Sequence, residues 1–177
     1  GLPFVEGANP GAPHQYLYQY SVGGTAGIQD AEWKLVKAMS NQPWRLYRLN
    51  ADGSVDASFG SSGRASLLIG ASSAVNAMAL DSSDRIVLAG TCDSGLGNVA
   101  FCLARYTVDG TLDTTFGSGG TQQLLPSNAA NANDMALAMA IDAGGRISVA
   151  GRCSTVAIGE RFCVVQFDAS GQLRNGF

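Results

Sequence analysis

The amino-acid sequence predicts an all-β protein, a propeller-like array of about three four-stranded antiparallel units. Glycine is abundant, at 23 of 177 residues, and only 14% of the residues are charged. Lys and Glu, two strong helix formers, are almost absent. Together with a motif that recurs along the chain, this composition favours many short strands joined by turns over a helical bundle.

The composition also excludes several classes of protein. The hydrophobic fraction of 46% and the net charge of −3 are typical of a folded chain, not of a disordered one. The longest apolar run, Met135–Ile141, is far shorter than the roughly 20 residues of a membrane helix. Mild acidity offers no basic face to nucleic acid. Residues 1–4 do not resemble a leader, so we expect a secreted form to have lost its signal peptide.

A sequence motif occurs three times along the chain. Two copies, Leu49–Gly63 and Tyr106–Gly120, share Asp-Gly, a second Asp, Phe-Gly and a closing Gly in the same order. A more divergent copy spans Phe167–Phe177. Between the motifs, Asp81–Gly90 matches Asp142–Gly151. Because the copies start about 60 residues apart, the chain reads as a series of repeats.

Each repeat is predicted to contribute about four strands. In the second repeat these strands are Arg64–Ile69, Ala74–Leu80, Arg85–Cys92 and Ala100–Thr107. Gly, Ser and Asp residues, which favour turns, lie between them. The Asp-Gly steps predict tight turns, because glycine adopts a positive φ without steric cost.

The segment Asp134–Ile141 is open to two interpretations. Its Ala, Met and Leu residues favour a helix. However, the bulky Met139 and Ile141 alternate with the small Ala138 and Ala140. Such alternation is typical of a strand, so we predict a strand with one small and one bulky face.

Four strands in a repeat of about 60 residues are typical of a propeller blade. The run Arg105–Gly120, with the order Arg-Tyr-x-x-Asp-Gly-x-Leu-Asp-x-x-Phe-Gly-x-Gly-Gly, resembles the delta-60 repeat of bacterial secreted and surface proteins. Arg48–Gly63 is similar to it over the same length. The resemblance covers about residues 26–177 and implies a propeller-like architecture and an extracytoplasmic setting. It implies no reaction.

The repeats divide the chain into an N-terminal segment, 1–25, and one domain of three repeats, 26–58, 59–115 and 116–177. Closed propellers have about four to eight blades, so three repeats predict an incomplete ring. The segment around Tyr16–Val22 is a candidate closing strand. Completion by this segment, by sequence beyond the chain or by self-association into a dimeric ring or a filament remains open at this point.

Four cysteines form two pairs with equal spacing: Cys92 with Cys102, and Cys153 with Cys163. A duplicated pair favours two local disulfides over buried free thiols. A zinc site is disfavoured because zinc ligands are usually two to four residues apart. Two disulfides predict an oxidising compartment, namely the periplasm, the cell surface or the exterior.

Two Arg–Asp pairs recur at the same spacing in the first two motifs: Arg48 with Asp56, and Arg105 with Asp113. In the third motif both members change together, to Gln166 and Arg174. We therefore predict ion pairs across the turn, each worth at most about 1 kcal/mol if exposed. Calcium binding by the Asp-rich turns is the alternative.

No catalytic motif, cofactor site or metal site is predicted. The single histidine, His14, lacks a nucleophile elbow, phosphate loop or zincin motif around it. Tyr16, Tyr18 and Tyr20 alternate, so on a strand they would share one face. That stripe would pack within the first repeat or bind a glycan or partner protein.

These observations favour a non-catalytic, extracytoplasmic β-repeat module that serves in assembly, adhesion or protein–protein interaction. Its expected partner is a second copy of itself or another surface protein. A glycan-binding propeller is the first alternative, and a hydrolase of surface polymers is the weaker one.

Overall fold

The computed structural model describes residues 18–22, 25–29, 33–37, 44–95, 97–155 and 159–175, with the segments before residue 45 described by backbone alone. These ranges contain strands, turns and irregular loops, and no helix. The predicted all-β class is confirmed, and the strands form three open antiparallel sheets. No helix in the described part of the chain is long and apolar enough to cross a membrane.

The three sheets follow one another along the chain, with strands in sequential order. The first sheet contains β1 (Tyr18–Val22), β2 (Thr25–Gln29), β3 (Trp33–Lys37), β4 (Trp44–Arg48) and β5 (Ala65–Leu67). The second contains β6 (Ser73–Leu80), β7 (Ile86–Gly95), β8 (Asn98–Tyr106) and β9 (Thr121–Leu124). The third contains β10 (Met135–Ile141), β11 (Ile147–Thr155) and β12 (Gly159–Phe167).

The last strand of a sheet comes from the sequence repeat that follows. Strand β5 lies after the Phe59-Gly60 step, yet it pairs with β4, placing Ala65 opposite Leu46. Strand β9 lies after the next Phe-Gly step and pairs in the same way with β8, placing Thr121 opposite Ala104. The sheets are therefore offset by one strand from the sequence repeats.

Alternating side chains place the second sheet between two hydrophobic clusters. Ile86 and Leu88 of β7 pack in a cluster with Leu46 of the first sheet. The intervening residues of β7, Val87 and Ala89, pack in a cluster with residues of the third sheet. This period-two pattern buries both faces of the second sheet and accounts for the scarcity of charge in its strands.

A bulge in the first strand of the second and third sheets explains a glycine of the repeat. The register shifts between Val75 and Ala77 in β6, and at the matching place in β10. Gly90 lies opposite the bulge, where a Cβ atom would be 1.9 Å from the carbonyl oxygen of Ala74. At Gly151 a Cβ atom would be 2.0 Å from the carbonyl oxygen of Met135. A side chain cannot be accommodated at either position.

The segment from Met135 to Ile141 is a strand, as its alternation predicts. Its small residues, Ala138 and Ala140, are exposed, whereas the aligned Ala77 of the second sheet is buried. Met139 and Ile141 are partly buried and pack against the hydrophobic cluster shared with the second sheet. Tertiary pairing with β11 therefore overrides the helix propensity of this alanine-rich segment.

Candidate functional site

The Asp-Gly turns are held by their own aspartates. Oδ1 of Asp52 accepts hydrogen bonds from the backbone N–H of Ser54 at 2.9 Å and from its hydroxyl at 2.6 Å. Asp168 accepts the same two bonds from Ser170, at 2.9 and 2.6 Å. Gly53 has a φ of +79°, which only glycine adopts readily. These carboxylates therefore serve the turn itself.

The second aspartate of each motif pairs with an arginine. Nη2 of Arg48 lies 2.6 Å from Oδ2 of Asp56, and Nε of Arg105 donates to Oδ2 of Asp113 at 2.8 Å. The first pair is partly exposed, with 24% and 21% of the two side chains accessible. The second pair is buried, with only 3% and 9% accessible, and a second cation, Arg85, lies 3.6 Å from the same carboxylate. The sequence alone does not distinguish the two environments.

Each arginine also reaches the turn of the next repeat. Nη1 of Arg48 donates to the carbonyl oxygen of Val108 at 2.9 Å. Arg105 donates in the same way to Ala169 at 2.5 Å. The guanidinium carbons lie 5.6 Å from the ring centre of Phe59 and 4.7 Å from that of Phe116, respectively, within the range of cation–π attraction. We call this unit of Arg, Asp, Phe and the next turn the clasp.

The glycines of the motif close each clasp. The N–H of Gly60 donates to the carbonyl oxygen of Asp109 at 2.7 Å, joining the Phe-Gly step of one motif to the turn of the next motif. A Cβ atom on Gly110 would be 2.8 Å from the ring of Phe59. A Cβ atom on Gly171 would be at the same distance from the ring of Phe116. Each turn therefore packs tightly against the phenylalanine of the preceding motif, and both phenylalanines are fully buried.

The third repeat carries a different pair. Nη1 of Arg174 donates to Oε1 of Gln166 at 2.6 Å, so the cation and its acceptor have exchanged places. Nε2 of Gln166 also donates to the hydroxyl of Ser148 at 3.1 Å. Phe177, which aligns with Phe59 and Phe116, lies outside the described residues. This pair contains one charge and a neutral amide instead of two opposite charges.

Both predicted disulfides are present. Cys92 is bonded to Cys102, and Cys153 to Cys163, and each bond joins the two long strands of a hairpin. Such bonds indicate an oxidising compartment. They cross-link the hairpins in the half that lies towards the connecting loop.

A buried aspartate was not foreseen from the sequence. Asp134 has 0% of its surface exposed. It accepts hydrogen bonds from the backbone N–H groups of Ser127 at 2.9 Å and of Ser154 at 3.1 Å. It thereby fastens the loop after β9 to β11, next to Cys153. The aligned position in the second repeat is Ser73, so the repeat pattern held no signal for a carboxylate there.

The remaining predicted residues are not brought together. Tyr16 and His14 lie outside the described residues. Tyr18 and Tyr20 lie on β1, at the edge of the first sheet, where only the backbone is described. The tyrosine stripe remains a prediction. Among the described residues, no group of three or more His, Cys, Asp or Glu side chains could hold a metal ion.

The turn aspartates should make the folded protein less stable in acid. Hydrogen bonds from the hydroxyl and N–H of Ser58, and then from Arg48, lower the pKa of Asp56 to about 2. Similar bonds from neighbouring Ser, Thr or backbone groups lower the pKa of Asp52, Asp109 and Asp168. A carboxyl group with a lowered folded-state pKa stabilises the fold above its unfolded pKa of about 3.9, and this contribution is lost as pH falls through the folded value.

We therefore expect the melting temperature to fall as the pH is lowered from about 4 to about 2. Thermal unfolding followed by circular dichroism at successive pH values measures this. Asp56→Asn should lower the melting temperature at neutral pH and reduce its acid dependence. A melting temperature that stays constant down to pH of about 2 would contradict the assignment.

Comparisons with known proteins agree with this geometry. A family model described as "Domain of unknown function (DUF5122) beta-propeller" matches residues 37–59 and 82–116. Its segments include the Phe59 and Phe116 positions of the first two motifs and the whole of β7 and β8. No curated protein matches the chain. The repeat, the three sheets and this match define a β-propeller-like repeat module.

One similar solved structure is that of an alpha-L-arabinofuranosidase (CtGH43) from Clostridium thermocellum ATCC 27405. The two chains are 16% identical, and the TM-score is 0.42. The alignment covers 86% of this chain and 53% of the other. The chain therefore spans about half the length of that protein.

Proposed function

We propose that the chain is a non-catalytic, extracytoplasmic β-repeat module of the delta-60 type that serves in assembly, adhesion or protein–protein interaction. One observation carries the proposal: the recurring charged and aromatic residues of the motif join one repeat to the next. Arg105, for example, binds Asp113 of its own repeat and the carbonyl of Ala169 in the next. The motif thus supports a stacking role for its residues.

Repeat modules bind through surfaces that the stacked units build together, and no reaction centre is needed for that role. The Asp side chains of the turns are already engaged by Ser, Thr or Arg groups. Their use in the fold argues against calcium at the same oxygens. The two disulfides support a secreted, periplasmic or cell-surface setting. A second copy of the chain is the partner we propose.

Sedimentation velocity tests the proposal. We expect the mean mass to rise over about a hundredfold range of protein concentration, which spans about 2.7 kcal/mol of association free energy. The same series with a reductant reports whether the disulfides support the association. A monomer throughout the range would contradict self-assembly. Specific binding on a glycan array by such a monomer would favour the glycan-binding alternative instead.

A further inference from the structure

The third sheet has one covered and one open face. Its covered face packs against the second sheet through Ile147 and Val149, both buried. On the other face, Phe162 is 100% exposed and Val164 is 49% exposed. We call this face the open face: it carries Ala150, Phe162, Val164 and Gln166, and the ion pair of Arg152 and Glu160 lies on it beside Phe162. No described residue lies over Phe162.

The second sheet shows what such a face accommodates. By the repeat alignment, Phe162 and Val164 correspond to Phe101 and Leu103, which are 0% and 1% exposed. Those two side chains pack in one cluster with the third sheet. The same alignment matches Gln166 to Arg105. The open face is thus a surface on which this architecture places another sheet of its own kind, and not an isolated exposed residue.

The first sheet carries the turn that matches the covered ones. At Gly110 and Gly171, a Cβ atom would be 2.8 Å from the phenylalanine ring of the preceding motif. At Gly53, which has the same conformation, no described atom lies within 4 Å of that position. We call residues 50–53 the leading turn. Among the described residues, this turn has the conformation of the two covered turns without a phenylalanine against it.

We propose that the open face binds the leading turn and first sheet of a second copy of this chain, head to tail. The inference rests on the proposed function and names the surface that performs it. The contact joins two different surfaces, so it generates a ring if the rotation closes and a filament if it does not.

The side chains of the third repeat suit an interface that forms and dissociates reversibly. Separating the second and third sheets would expose the buried Arg105–Asp113 pair and break its bond to Ala169. At the open face, the neutral amide of Gln166 replaces that arginine, and Arg174 remains exposed. The open face therefore lacks the buried ion pair found between the second and third sheets, and a second copy that leaves it exposes no previously buried carboxylate. This argues for an exchangeable second copy as the occupant.

Two substitutions test the two ends separately by sedimentation velocity. Phe162→Asp places a charge on the open face, and Gly53→Asn places a side chain on the leading turn while tolerating the positive φ. We expect each variant alone to associate at least about tenfold more weakly than the wild type. An equimolar mixture should form a heterodimer, because each variant keeps one intact end. Gln123→Asp, at an exposed position on β9 of the second sheet and away from both surfaces, is the charge control and should associate like the wild type.

The melting temperature of Phe162→Asp should equal that of the wild-type monomer, because the Phe162 side chain is fully exposed and buries no part of the core. Wild-type association of Phe162→Asp would overturn the inference and leave self-assembly standing. If Phe162→Asp failed to associate while Gly53→Asn associated like the wild type, the contact would be a symmetric one between two open faces. That result would overturn the head-to-tail arrangement. A monomeric wild type would overturn both this inference and the proposed self-assembly.

Discussion

Arg105→Ala is expected to lower the free energy of unfolding by about 3 to 5 kcal/mol. The substitution leaves the carboxylate of Asp113 buried beneath the third sheet without its closest cation, which lies at 2.8 Å. It also removes the bond to Ala169 and the cation that covers the ring of Phe116. Arg85, 3.6 Å from the same carboxylate, offers only partial compensation. Urea unfolding followed by circular dichroism measures the loss.

Arg48→Ala is the matched control, because Arg48 makes the same three kinds of contact at a more exposed site. Water can solvate Asp56 once the arginine is gone, so the loss should be much smaller than at Arg105. Arg105→Lys should fall between the two variants, since it keeps the charge but not the planar fork. Equal losses for Arg105→Ala and Arg48→Ala would contradict the role assigned to burial.

Gly110→Ala is expected to cost about 2 to 5 kcal/mol. Of this, about 1 to 2 kcal/mol arises from the left-handed conformation, with its φ of +85°. Overpacking adds about 1 to 3 kcal/mol, because the new methyl group would be 2.8 Å from the ring of Phe59. Gly53→Ala has the first cost without the second, since nothing lies within 4 Å there.

The difference between these two alanine variants therefore isolates the contact between repeats from the strain of the turn. Urea unfolding of the monomer gives both values, and Gly171→Ala should resemble Gly110→Ala because Phe116 takes the place of Phe59. If Gly110→Ala and Gly53→Ala proved equally stable, the turns would not be pressed against the phenylalanines.

Features with a local or periodic cause could be predicted from the sequence. The strands follow from alternation and turn residues, the two disulfides from a duplicated spacing, and the propeller-like class from the repeat. The pairing of Arg105 with Asp113 is suggested by the joint change to Gln166 and Arg174 in the third repeat. Each of these signals lies within one repeat or in the comparison of repeats.

Features that depend on the order of the sheets could not be predicted in this way. Arg48 and Arg105 have similar sequence surroundings, yet the first pair is partly exposed and the second is buried, a difference that arises from tertiary packing. Asp134 gains its role because the loop between β9 and β10 meets β11 in space. The assignment of β5 to the first sheet depends on pairing across the motif, which periodicity within a repeat does not encode.

The first and second sheets each receive their last strand from the following repeat. This arrangement suits folding that proceeds from the N-terminal sheet to the C-terminal sheet. Synthesis delivers the N-terminal residues first, so β4 is available before the residues that protect its edge. That edge is covered by Ala65–Leu67, which follow soon after in the chain. Each newly formed sheet then exposes its outer edge only briefly, until the next few residues arrive, which limits pairing with other nascent chains. The one-strand offset is thus expected to protect the edge of each sheet from intermolecular strand pairing while the chain is being synthesised.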